Sequence, residues 1–210
     1  MLGKRVLFRL LLMVGIIMLV GFGCARDAEE ASNEQGQNRE KAEQGEAAEQ
    51  LVLQEKVTLD GDYADKIKEL DLPIDESEWE TVHYEETDRK AVAEYVKKDD
   101  QENSKGQEIF TVHFYARESR NLDMENFITV MEEELKQLAT GKVVFDIIES
   151  SEKNGMYEFH IKDDEELDDQ EEIGSVFQHE DELYVIRYTV VNQEMKDKEQ
   201  WMEELQQINK

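Results

Sequence analysis

Two hydrophobic periods alternate along most of this chain, and the points where one replaces the other limit its fold more than composition does. Ala91–Lys97 and Ile109–Tyr115 alternate as strands do, with Phe110, Val112 and Phe114 on one side and Ile109, Thr111, His113 and Tyr115 on the other. The polar stretch Asp99–Gln107, with Gly106 in it, reads as the hairpin turn between them. At Met124 the period becomes helical. Met124, Phe127, Ile128, Met131, Leu135 and Leu138 form one stripe, Asp123 is placed to cap it with Asn126 at the third helical position, and Gly141 to stop it. Glu132, Glu133 and Glu134 are expected to face water. Strand alternation returns at Val143, Phe145 and Ile147 and again at Tyr157, Phe159 and Ile161, around Asn154-Gly155, a strong hairpin dipeptide. Ile173–Gln178 and Leu183–Val191 form a further hairpin across His179-Glu180-Asp181-Glu182, and the acidic run 163–172 before it reads as a loop. Glu194–Ile208 closes the chain as a helix, with Trp201, Leu205 and Ile208 on one side.

Upstream, Leu51, Leu53 and Val57 have strand-like spacing. Tyr63, Ile67 and Leu70 share the face of a short helix that ends before Pro73, and Trp79, Val82 and Tyr84 mark a first strand. Hairpins in series make an antiparallel sheet, and amphipathic helices must cover it. The fold expected for residues 51–210 is therefore a single α+β domain: an antiparallel sheet of about six to seven strands packed between two or more helices. From about Trp79 to Ile208 this layout is similar to the PsbP/Mog1-like family, through the long helix Met124–Leu138 after a hairpin and the terminal helix around Trp201. The resemblance is one of topology. It implies an exported module that binds or scaffolds, since most such proteins are not enzymes.

The start of the chain concerns location. Lys4, Arg5 and Arg9 are followed by an uncharged run of 14 residues, Leu10–Gly23, and then by Cys24. This is the pattern of a secretion signal, and the run is shorter than the ~20 residues of a spanning helix. Val6, Leu7 and Phe8 extend it past Arg9, so an uncleaved anchor helix with an incidental cysteine is the alternative. Val20-Gly21-Phe22-Gly23-Cys24 resembles the bacterial lipobox, with Gly23 matching its small residue and Gly21 standing where the family usually has leucine. That resemblance implies residues 1–23 are a signal peptide and that the Cys24 thiol carries a diacylglycerol. The acyl chains, palmitate among them, would then hold the protein at the extracytoplasmic face of the cell membrane.

Residues 24–50 read as a tether. From Ala25 to Gln50 there is no Val, Ile, Leu, Met or aromatic residue, so nothing there offsets the loss of chain entropy. Such a segment reaches roughly 30 Å as a coil; a transient Ala/Glu/Gln helix is the alternative.

The chain carries 52 acidic and 24 basic side chains, a formal net charge of −28. A surface of that sign repels nucleic acid and favours cationic or protein partners outside the membrane. Cys24 is the only cysteine, so a lipidated Cys24 leaves no thiol for disulfides, zinc ligation or nucleophilic catalysis.

The other chemical candidates are weak. His83, His113, His160 and His179 lack metal-ligand spacing, although His113 and His160 lie in strands and would meet if they shared a sheet face. Neither the run 163–172 nor Asp60-Gly61-Asp62 has the alternating ligand spacing of a calcium loop. No GxSxG elbow or phosphate-cradling glycine loop is present. Tyr84, Tyr95, Tyr115, Tyr157, Tyr184 and Tyr188, with Trp79 and Trp201, are expected mostly in the core, the alternative being an aromatic ligand groove. No cofactor, metal site or catalytic residue is assigned. The function expected is that of a membrane-anchored, non-catalytic binding or accessory module. The alternatives are a wall- or polysaccharide-acting hydrolase with a carboxylate pair and a small solute-capture lipoprotein.

Overall fold

The computed structural model describes residues 57–101, 107–116 and 123–208. In chain order these form α1 (Ala64–Lys68), β1 (Trp79–Glu86), β2 (Lys90–Lys97), a 3-10 turn (Lys98–Gln101), β3 (Gln107–Tyr115) and α2 (Met124–Leu138). They continue with β4 (Lys142–Ser150), β5 (Asn154–Lys162), β6 (Gln170–His179), β7 (Glu182–Val191) and α3 (Lys198–Gln207). The strands make one seven-stranded sheet in the order β1-β2-β3-β7-β6-β5-β4, antiparallel throughout. Two meanders, β1–β3 and β4–β7, meet where β3 pairs with β7. The fold is an antiparallel α+β fold dominated by its sheet.

Successive side chains of a strand point to opposite faces, and here they join different apolar clusters. Phe110, Val112 and Phe114 of β3, Ile173 and Phe177 of β6, and Tyr184, Ile186 and Tyr188 of β7 lie with Ile67 of α1 and Leu205 of α3. Tyr157, Phe159 and Ile161 of β5, Val176 of β6, and Leu183 and Val185 of β7 lie with Met124, Ile128, Met131 and Leu135 of α2. These are called the first and second faces below. At about 25 cal/mol per Å² of apolar area, the two clusters are the main force holding the sheet. A third, smaller group on the second face is Val96, Ile109 and Val191, with Val82 against it.

The helix over 124–138 begins and ends at the residues its stripe marks. Asp123 stands in extended conformation before it and accepts a bond from the Asn126 amide at 3.1 Å. The three glutamates do not all face water: Glu133 is exposed, whereas Glu132 and Glu134 are half-buried, and burial raises the Glu134 carboxyl above its usual range.

Several expectations are corrected. Asn154-Gly155 is not the turn between β4 and β5. Both residues lie in β5, and the turn is Ser151–Lys153, closed by the Ser151 amide donating to the Asn154 carbonyl at 2.7 Å. Gly155 is needed for another reason, because a Cβ there would run into Ile128 Cδ1 beneath α2. Gly141 does not end α2 either. Ala139 caps the helix in extended conformation, and Gly141 allows the chain to pass close to Lys162 and Asp164. The run 163–172 is a loop only to Asp169; β6 starts at Gln170, and Glu172 is buried in it. The last helix starts at Lys198 rather than Glu194, after Asp197 in left-handed conformation. Leu51, Leu53, most of the turn 99–107 and the whole of 1–50 lie outside the described residues.

Candidate functional site

Arg187 is the only charged residue in β7 beyond its first position, in the apolar run Leu183-Tyr184-Val185-Ile186-Arg187-Tyr188. The sheet register places it in a row crossing six strands on the second face. His83 of β1 pairs with Glu94 of β2, Glu94 with Thr111 of β3, and Thr111 with Arg187. Arg187 then pairs with Gly174 of β6, and Gly174 with Tyr157 of β5. His113 of β3 and Glu172 of β6 flank the row diagonally, and Thr189 lies opposite Glu172. Glu94, Thr111, His113, Tyr157, Glu172 and Thr189 are all less than 5 % exposed, and Arg187 is 6 % exposed.

Buried charge requires partners. Glu172 accepts the Tyr157 hydroxyl at 2.9 Å on one oxygen and the Thr189 hydroxyl at 2.8 Å on the other. Arg187 Nη1 lies 3.8 Å from that second oxygen, and Arg187 Nη2 meets His113 Nε2 at 2.8 Å. An arginine is always a donor, so His113 Nε2 must accept, which makes the ring neutral with its proton on Nδ1. Burial first, and then the Arg187 and Lys90 charges, hold the His113 pKa well below 6.5 in agreement. Burial also opposes the charge on Arg187, but the charge of Glu172, with Tyr157 and Glu94, outweighs it and keeps the guanidinium protonated. Burial raises the Glu94 carboxyl above 4.5, against the opposing pull of His83 and Arg187.

Gly174 makes room for this arrangement. A Cβ there would run into the ring and hydroxyl of Tyr157, so the tyrosine crosses β6 toward Glu172 only because position 174 is bare. Phe145 and Phe159 lie near-parallel to the Tyr157 ring, with centroids 5.2 and 6.5 Å from it and 6.2 Å from each other. Within the row, three polar atoms remain buried without a hydrogen-bond partner among the described residues: Glu94 Oε1, His113 Nδ1 and Arg187 Nε. Leaving such an atom unpaired costs about 1–3 kcal/mol. Chemically the row is one arginine balanced by one carboxylate, with a second carboxyl whose pKa burial raises and a neutral imidazole beside them. Apart from His83, which is half-buried at the edge strand, the charged side chains of the row are buried and their partners lie within it.

The acidic run 163–169 is held by one of its own side chains. Asp164 accepts the Thr140 and Gly141 amides at 2.6 and 2.7 Å on one oxygen and the Glu166 and Leu167 amides at 2.8 Å on the other. Partial burial raises its pKa, but the four N–H donors prevail and bring it to about 2. The carboxylate thus ties the loop to the start of β4, and Leu167 packs with the α2 cluster.

Of the other candidates, His113 and His160 do not meet. His113 lies on the second face, whereas His160 is on the first, half-buried, with Nδ1 3.5 Å from Glu171. His83 lies 3.8 Å from Glu85, and His179 is exposed at the end of β6. Among the described residues no three His, Cys, Asp or Glu side chains are grouped to hold a metal ion. Trp79, Tyr157, Tyr184 and Tyr188 are buried, Tyr84, Tyr95, Tyr115 and Trp201 are half-buried, and Tyr188 stacks on Trp201 at 3.9 Å. Cys24 and the tether lie outside the described residues. Among the described residues no helix is long and apolar enough to cross a membrane.

Sequence reading missed the row itself. Its one signal was a lone charge within a strand's apolar run, Glu94 in Ala91-Val92-Ala93-Glu94 and Arg187 in β7, because such a residue must be paired if it is buried. Comparison with protein-family models, curated proteins and solved structures found no match.

Proposed function

We propose that this chain is a lipoprotein held at the extracytoplasmic face of the cell membrane by a diacylglycerol on Cys24. Its sheet domain, with the sheet packed between helices in the PsbP/Mog1-like manner, acts there as a non-catalytic binding or accessory module for a protein or cationic partner. The observation that carries this reading is the order of segments: a charged start, an uncharged run of 14 residues, the sole cysteine, then a stretch without apolar side chains ahead of the domain. Two acyl chains on that cysteine suffice for stable anchoring.

The site supports a module over a hydrolase. A carboxylate pair that cleaves sugars must stand open to substrate and water. Glu94 and Glu172 are 1 % and 4 % exposed, and both oxygens of Glu172 are occupied by hydroxyl donors. The net charge of −28 makes a cationic partner the favoured one.

The test is metabolic labelling with palmitate and detergent-phase partition of the full chain in a bacterial host. The wild type should take the label and stay with the membrane, and Cys24→Ala should lose both. A Cys24→Ala chain with undiminished label and membrane retention would contradict the reading.

A further inference from the structure

Among the described residues the sheet ends in two edge strands, β1 and β4, and they differ. Most of β1 is half-buried, whereas β4 is exposed over most of its length. Among the described residues, Val144, Ile147 and Ile148 are the large apolar side chains left exposed, at 40, 38 and 37 %, and all three lie on β4. An open edge with apolar side chains presents unpaired backbone donors and acceptors and is a template for another strand.

We propose that the strand added to β4 is β4 of a second copy, joining two sheets into one across a two-fold axis. Antiparallel pairing requires that axis to stand perpendicular to the sheet, which leaves every side chain on its own face. Residues directly opposite must share a face, so the axis has to pass through a residue and not between two. Centring on Asp146 sets two carboxylates against each other and draws in the irregular register at Ile147–Glu149. Centring on Val144 avoids both. Val144 then faces Val144, Val143 faces Phe145, and Lys142 faces Asp146, each of the last two pairs occurring twice. Lys142 and Asp146 are both exposed. Within one chain they stand about 13 Å apart along the strand, too far to pair with each other. The sequence Lys-Val-Val-Phe-Asp is therefore complementary to itself in charge and in apolar character. The −28 on each copy opposes association at low salt, so the dimer should tighten as salt is added. This inference goes beyond the tethered-module reading, and its failure leaves acylation of Cys24 untouched.

Sedimentation of the full chain in detergent tests it by charge exchange. The wild type should be dimeric, and Lys142→Asp or Asp146→Lys alone should weaken the dimer by roughly tenfold. The double variant Lys142→Asp/Asp146→Lys should restore it, because the two charges face each other only between copies. Both positions are exposed, and circular dichroism confirms that each variant is folded. In membranes treated with copper–phenanthroline as oxidant, Val144→Cys should form a disulfide dimer beyond any seen for the wild type, whereas Val143→Cys, which faces Phe145, should not. A monomeric wild type, single reversals that stay dimeric, or a double variant that stays monomeric would each overturn the proposal. So would a monomer whose β4 amides gain protection only with an added Lys/Val-alternating peptide, which would assign the edge to a foreign strand.

Discussion

Glu94 and His113 are buried within two strands of each other, yet they act on stability from opposite sides of neutrality. Burial raises the Glu94 carboxyl, so the folded state holds its proton longer than the unfolded chain does. Its contribution is full below pH 4.5 and is lost as pH rises through the folded value. Burial lowers His113, so its contribution is full above 6.5 and is lost as pH falls through the folded value. Urea unfolding as a function of pH should show a Glu94→Gln variant lacking the decline on the alkaline side of 4.5 while keeping the acid-side decline. An unchanged alkaline slope would remove Glu94 as its source. Gly174→Ala forces a methyl into the Tyr157 ring and should cost about 1–3 kcal/mol, the usual cost of overpacking a closed core. Replacing Arg187 by Met strands Glu172 as an uncompensated buried charge and should cost about 3–5 kcal/mol. The same denaturation series measures both.

At the scale of elements, α2 and the loop after β5 each depend on one aspartate. Asp123 satisfies an amide at the open start of α2, so Asp123→Ala should cost about 1 kcal/mol. Asp164 holds four amides, and its pKa of about 2 lies below the ordinary 3.8. Its contribution is present above 3.8 and is lost as pH falls through about 2. Amide exchange should therefore show the loop 163–169 and the start of β4 opening below pH 3.8 before the sheet centre, and in an Asp164→Asn variant opening already at neutral pH. The elements themselves were readable from period and punctuation: α2 to its end residues, and the alternation of β3, β5 and β7. The errors came where a glycine or an acid had a tertiary reason to be in place. Gly155 reads as a turn residue, whereas it leaves space for Ile128, far off in sequence, and Gly174 likewise leaves space for Tyr157. Glu171 and Glu172 read as loop because they continue an acidic run, yet the run crosses from loop to strand at Gln170.

For the whole molecule, the joining of β3 to β7 is the long-range event. The chain between them includes α2 and three strands, so the central pair forms only after the second meander is in place. Sheets of such non-local pairing fold in milliseconds to seconds, and stopped-flow refolding should fall in that range. Periodicity, capping and charge are local quantities, so the strands, the long helix, the acidic surface and the expectation of an anchored module could be read along the chain. The strand order, the row of buried charge from His83 to Tyr157 and the exposure of one edge could not. They depend on which residue stands opposite which across the sheet, and that register is set by how two meanders pack together, a relation between residues that no window of neighbouring positions contains.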